Sequence, residues 1–192
     1  MEWGIEDLFD FREFRDSVWP AHLVPVGEGE IEKEPFETWW LRNNAELANL
    51  ASGICEQWIY RHWSHTQFNF LPLDSLRFEQ IELSTDEILQ SVHRELGCSL
   101  HPEFDRQVFE RPIGGIPLQT ARAFIETATW DFPIITLKTP NGFIGHQIAS
   151  SEIKMVLVEG HQRHRYLNAL HHFGDAPEGP HRVFSLSSPV VG

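Results

Sequence analysis

The chain has 192 residues, 41% of them hydrophobic, with 7 Trp and 14 Phe. That is enough apolar material for a packed core, and it excludes a disordered chain. The formal charge of -13 argues against duplex DNA as a partner of this chain on its own, because such binding needs a basic face to displace counterions.

Two cysteines, Cys55 and Cys98, occur without a CxxC spacing. They read as free, buried thiols of a reducing cytoplasm. No apolar run approaches the ~18 residues of a membrane span. The N-terminus carries Glu2, Glu6, Asp7 and Asp10 and no basic leader. The expectation is a cytoplasmic protein with no membrane partner.

Residues 1–75 read as an aromatic, helical N-terminal extension. Leu8, Phe9, Phe11, Phe14 and Val18 suggest a helix over 6–18. A Pro-, Gly- and Glu-rich loop follows, from Trp19 to Pro35. From Phe36 to about Trp63, the residues Trp40, Leu47, Leu50, Ala51, Ile54, Trp58 and Ile59 recur near a period of 3.6. Leu71-Pro72-Leu73 ends that pattern.

Residues 76–192 read as a mixed α/β domain. Phe78 to Leu83 alternates as a strand does, and Ser84-Thr85-Asp86-Glu87 is a capping box. Ile88, Leu89, Val92 and Leu96 line a helix that Gly97 would stop. A loop with Pro102, Pro112, Gly114, Gly115 and Pro117 comes next. A helix is expected over 118–129, with Ala121, Phe124, Ile125 and Ala128 on one face. Phe132-Pro133-Ile134-Ile135-Thr136-Leu137 is β-rich, and Asn141-Gly142 signals a hairpin turn. Met155 to Val158 is a strand, Arg163 to His172 a helix, and Val183 to Leu186 a last strand.

The stretch from Lys154 to Leu170 carries the chemistry. It is an apolar strand, a glycine turn and an amphipathic helix, with Glu159, Gly160, His161, Gln162, Arg163, His164 and Arg165 at the junction. A helix N-terminus presents unpaired N–H groups and a partial positive charge, so it suits an anion. Arginine and histidine beside it make phosphate the first ligand to consider. No P-loop, Gly-x-Ser-x-Gly elbow or HExxH is present.

The order of elements here resembles the ParB/sulfiredoxin superfamily, whose members include ParB partition proteins, sulfiredoxin and free serine kinases. The likeness lies in the Pro133-Ile134-Ile135 strand and the strand that runs into Glu159-Gly160-His161-Gln162-Arg163. In place of this EGHQR, family members carry GERR-like, DGHHR or GGCHR sequences. The resemblance covers about residues 78–186 and implies a small mixed sheet with flanking helices.

Residue by residue, the resemblance implies a phosphate-contacting role for Gly160 and Arg163. His161 falls where sulfiredoxin has its cysteine, which argues against sulfinic-acid reduction. Gln162 replaces a basic residue and weakens charge compensation. Glu159 falls on the aspartate of DGHHR, as a base or Mg²⁺ contact. The expected phosphate or nucleotide site is therefore Gly160, His161, Gln162, Arg163 and Arg165, with Glu159 and His161 as catalytic candidates.

Other clusters read as less specific. His164 and His171 lie two turns apart, about 10 Å along the helix axis, too far to share one ion. No structural metal is expected. Glu79, Glu82, Asp86 and Glu87 surround the first strand–helix junction, where capping and solvated charge explain them.

The functional expectation is a domain that binds a nucleotide or phosphorylated small molecule. As an enzyme it would be a Mg²⁺-dependent phosphotransferase or a nucleotide or phosphodiester hydrolase, acting on a nucleoside di- or triphosphate. The alternative is a non-catalytic interaction module with a degenerate phosphate site, docking a protein through its aromatic N-terminal part.

Overall fold

The computed structural model describes residues 8–14, 16, 18–27, 32–95, 99–111 and 118–191. Their fold is a mixed α/β structure. In chain order the elements are strand β1 (Phe9–Asp10), helix α1 (Phe36–Asn43), helix α2 (Ser52–Ile54), a π-helix (Cys55–Tyr60), β2 (Arg77–Leu83), α3 (Thr85–Ser91), β3 (Val92–His93), α4 (Pro102–Glu110), α5 (Gln119–Thr127), β4 (Ile134–Lys138), β5 (Phe143–Ile144), β6 (Ala149–Ser150), β7 (Met155–Glu159), α6 (His161–His172) and β8 (His181–Ser187).

Five strands form the main sheet in the order β2-β8-β4-β7-β3. β8 and β4 are parallel, as are β7 and β3, while β2–β8 and β4–β7 are antiparallel. A small second sheet has the order β1-β5-β6. The central strands β4, β7 and β8 are buried on both faces, so they read as continuous apolar runs.

Period-2 alternation divides these strands between two cores. Ile135, Leu137, Val156, Val158, Phe184 and Leu186 face the N-terminal layer, together with Trp39, Trp58 and Phe68. Ile134, Leu157 and Val183 face the other way, onto Ile88, Phe124, Tyr166 and Leu170 of α3, α5 and α6. The sheet is thus the middle of three layers. The described residues between 8 and 75 share a core with its strands.

Several expectations are corrected. Among the described residues of the expected 6–18 helix, Phe9–Asp10 instead pairs in parallel with Phe143–Ile144, and a 3₁₀ turn follows. The Asp10 carboxylate accepts the Arg12 N–H at 3.0 Å, a local bond that competes with helix. Phe9, Phe11 and Phe14 join a cluster of rings with Phe68, Phe70 and Phe143. The 36–63 helix is interrupted. The Asn43 amide turns back onto the Trp39 carbonyl, and the chain restarts as a helix only after Ala51.

The Ser84–Glu87 capping box is present in full. Its helix ends at Ser91, before Leu96, because Val92 pairs with Met155 as a strand. Gly97, Cys98, Pro112, Gly114, Gly115 and Pro117 lie outside the described residues. Pro102 starts a helix rather than marking a loop, since proline suits the first helical position. The Asn141-Gly142 turn leads from the main sheet into β5 and does not fold β4 back on itself.

Trp39 is fully buried, and its Nε1–H donates to the Leu23 carbonyl at 2.6 Å. Trp39→Ala should cost about 3–5 kcal/mol. Because the layer shares a core with the sheet, tryptophan fluorescence and far-UV circular dichroism should report one coincident urea transition. Two separate transitions would show that the N-terminal layer folds by itself.

Candidate functional site

A cleft of about 660 Å³ opens where the N-terminal layer meets the start of α6. Val158, Glu159, Gly160, His161, Gln162 and Arg163 form one wall. Leu118, Gln119 and Thr120, at the start of α5, form a second. The third comes from 58–68, including Arg61, His62 and His65. Neither α5 nor α6 has a side-chain N-cap. The first turns of two helices therefore border one cavity with their positive dipole ends.

Gly160 makes the turn from β7 into α6 with φ +102°. A Cβ placed there would lie 2.6 Å from Ile134 Cγ2. Both the backbone sign and the approach to β4 demand glycine. The following helix starts with the N–H of His164 bonded to the Gly160 carbonyl at 2.9 Å.

Arg163 is buried. Its Nε donates to Asp131 at 2.8 Å and its Nη2 to Gln57 Oε1 at 3.3 Å. Gln57 also accepts from Arg61 Nη1 at 3.1 Å. The π-helix thus places one amide oxygen between two guanidinium groups. The Thr120 hydroxyl lies 3.3 Å from Asp131. The expected phosphate arginine is therefore committed to an internal pair, while Arg61 is exposed at the cleft.

Gln162 is exposed and donates to the Tyr166 hydroxyl at 2.9 Å. Arg165 pairs with the buried Asp105 of α4 and does not line the cleft. Of the expected residues the structure brings together Glu159, Gly160, His161, Gln162 and Arg163, and leaves Arg165 on another face. The acidic group at the β2–α3 junction also lies elsewhere. Glu79 pairs with Lys138, Asp86 with His171, and Glu87 caps α3.

Glu159 is largely buried, with Oε2 3.5 Å from His62 Nε2. Burial pushes its carboxyl upward. The His62 hydrogen bond, the charges of His62 and His161, and the Gly160 N–H outweigh that and hold it below the ordinary range. The His161 Nδ1 is buried and has no partner. Burial drives its proton affinity down, Glu159 partly restores it, and Arg94 and His62 lower it again.

The helix α5, Gln57, Arg61 and His62 were not part of the expected site. They belong to other layers, so no local spacing joins them to Glu159. The one signal was Pro117 before Leu118-Gln119, a helix-start pattern. Among the described residues, no group of three or more His, Cys, Asp or Glu side chains is arranged to hold a metal ion.

His164 sits one turn further along α6 and lines a separate cavity beside β3. Both of its ring nitrogens lack a partner, and burial, Arg94 and His161 push its pKa down to about 3.

Two variants test this junction. Gly160→Ala should destabilise the fold by about 3 kcal/mol or more, from backbone strain and overpacking against Ile134. Urea unfolding measures it, and a loss under about 1 kcal/mol would show that the turn is not constrained. His164 is neutral when folded and protonates near 6.5 when unfolded. Its contribution is complete above that value and is lost as pH falls toward about 3. Wild type should thus lose roughly 2 kcal/mol more stability than His164→Leu between pH 7 and pH 5. Equal pH dependence in the two proteins would place a charged imidazole inside the fold.

Comparison with known proteins adds no relative to this geometry, since no protein-family model, curated protein or solved structure matches the chain.

Proposed function

We propose that the cleft binds a phosphate-bearing small molecule, with nucleotides as the leading class. One observation carries the reading: the uncapped first turns of α5 and α6 border the same cavity, and Arg61 and His65 face them. Unpaired N–H groups at two positive dipole ends favour an anion more than either does alone. A cavity of about 660 Å³ is of the size that holds a drug-sized ligand. The likeness of Glu159–Arg163 to a ParB/sulfiredoxin phosphate turn supports the same reading.

In this reading the backbone N–H groups of 161–163 hold the phosphate and Arg61 adds a positive charge from the exposed side of the cleft. Arg163 shapes the turn from behind. The cleft's carboxylates do not fit a resident Mg²⁺, because Asp131 is spent on Arg163 and Glu159 on His62. Any Mg²⁺ arrives bound to the ligand's own phosphates. Phosphoryl transfer or phosphate-ester hydrolysis is the reaction class that such a site serves.

One observation favours the second reading, a non-catalytic module that keeps the turn without its ligand. The Arg163 guanidinium, matched to the family's phosphate arginine, is turned onto Asp131.

Calorimetry with ATP·Mg²⁺, CTP·Mg²⁺ and GTP·Mg²⁺, and with inorganic phosphate, separates the two readings. Wild type should bind at least one of them. Arg61→Ala should weaken binding about tenfold or more, the value of one charge-assisted hydrogen bond, and leave the fold intact. Arg163→Ala should instead lower stability by about 3–5 kcal/mol, because Asp131 loses its partner. No binding heat with any of these ligands would favour the second reading.

A further inference from the structure

The cleft contains several ionisable groups, and most are committed. Arg61 and Arg163 remain protonated and serve no acid–base role. Asp131 is held by Arg163 and lies beside the Thr120 hydroxyl. The Nδ1 of exposed His65 is bonded to Ser64 Oγ at 2.8 Å. At His161, burial and Arg94 both disfavour the arrival of a proton.

His62 differs from all of these. It lines the cleft opposite the start of α6 and its side chain is 36% exposed. Its Nε2 lies 3.5 Å from Glu159 Oε2. An ionised carboxylate only accepts, so a hydrogen shared between these two atoms would sit on Nε2 and leave Nδ1 as an acceptor. The backbone that carries the ring is held on both sides. The His62 N–H bonds the Trp58 carbonyl at 2.9 Å, and the Thr66 N–H bonds the His62 carbonyl at 2.9 Å. Besides Glu159, the charged groups around the pair are His161, Arg61 and His65, with Arg163 Nη1 at 3.9 Å from Glu159.

We propose that His62 is the acid–base residue of the cleft, that Glu159 positions it, and that the chain is a phosphate-ester hydrolase or phosphotransferase with a hydroxyl nucleophile. The proposal rests on the phosphate reading above. Glu159 then acts through His62 rather than on the substrate. A carboxylate behind an imidazole fixes its tautomer and stabilises the imidazolium that forms.

The step balances without any further reagent. A water or alcohol O–H gives its proton to His62 Nδ1 as its oxygen bonds to phosphorus. The P–O bond to the leaving group breaks, and the electron pair stays on the leaving oxygen. The leaving oxygen departs as an anion, ADP or p-nitrophenolate, and the imidazolium gives its proton to solvent water. With water and ATP the products are ADP and inorganic phosphate.

The test uses the full chain with two probes, ATP·Mg²⁺ and p-nitrophenyl phosphate. His62→Gln and His62→Asn should bind ATP within about threefold of wild type, yet hydrolyse both probes about 100-fold more slowly or less. Nitrogen-15 NMR of histidine-labelled wild type should show His62 protonated at Nε2, and Glu159→Gln should mix the two tautomers. A purely structural His62–Glu159 contact would leave the ratio of hydrolysis to binding unmoved. Equal hydrolysis in wild type and both His62 variants overturns the assignment, as does an Nε2-bare ring in wild type. Wild type that binds ATP and hydrolyses neither probe overturns it and leaves the phosphate site standing. Wild type that binds neither ATP nor inorganic phosphate removes the site itself, and the assignment with it.

Discussion

Arg163 and Asp131 lie 2.8 Å apart, with side chains 6% and 11% exposed. Taking two charges this far out of water is costly, and the pair is retained only when its other donors and acceptors are also met. Here they are. Gln57 takes a guanidinium hydrogen from one side, and the Thr120 hydroxyl sits by the carboxylate on the other. Four segments thereby meet at one point: the π-helix, the start of α5, the turn before β4 and the start of α6. None of them can shift alone without leaving a buried charge uncompensated. The relative placement of the three cleft walls follows from this pair.

That constraint also explains the character of the site. A protein of net charge -13 needs a local device to hold an anion. Free arginines in the cavity are one device, but they would repel each other before a ligand arrived. The structure uses backbone instead. Helix N–H groups are fixed partial charges that need no counter-ion and do not titrate. Asp131 neutralises Arg163, and Glu159 lies between His62 at 3.5 Å and Arg163 Nη1 at 3.9 Å. On the phosphate reading proposed above, the ligand's charge would be met by dipoles and by Arg61 at the rim.

The main sheet was legible because β4, β7 and β8 are apolar on both faces, and such runs stand out in a sequence. The Ser84–Glu87 box was legible because it is a four-residue signal complete in itself. Failures came where a distant partner decided the outcome. Val92 leaves its helix to pair with Met155, and Phe9 leaves its helix pattern to pair with Phe143. Pro102 shows a local ambiguity, since proline both breaks a helix and begins one. At the site, residues 159–163 were legible from the strand–glycine–helix order. The Arg163 partner was not, because Asp131 and Gln57 carry no pattern that names their target. Arg165 looked equivalent to Arg163, yet helical rotation over two residues points it at Asp105 of α4.

The N-terminal layer changes what the turn at Gly160 can do. Without it, the start of α6 would open to solvent, and an anion there would be weakly held and rapidly exchanged. With Trp58 and Phe68 packed into the core under the sheet, the segment between them is carried across the mouth of that turn. His62 lies in this segment, whose ends are tied by a 2.9 Å hydrogen bond from Trp58 Nε1 to the Thr66 hydroxyl. The same packing that buries the aromatic residues therefore sets the distance between His62 and Glu159. Stability and chemistry share one cause here: an aromatic layer that fails to dock loses a core, a cavity wall and the imidazole together.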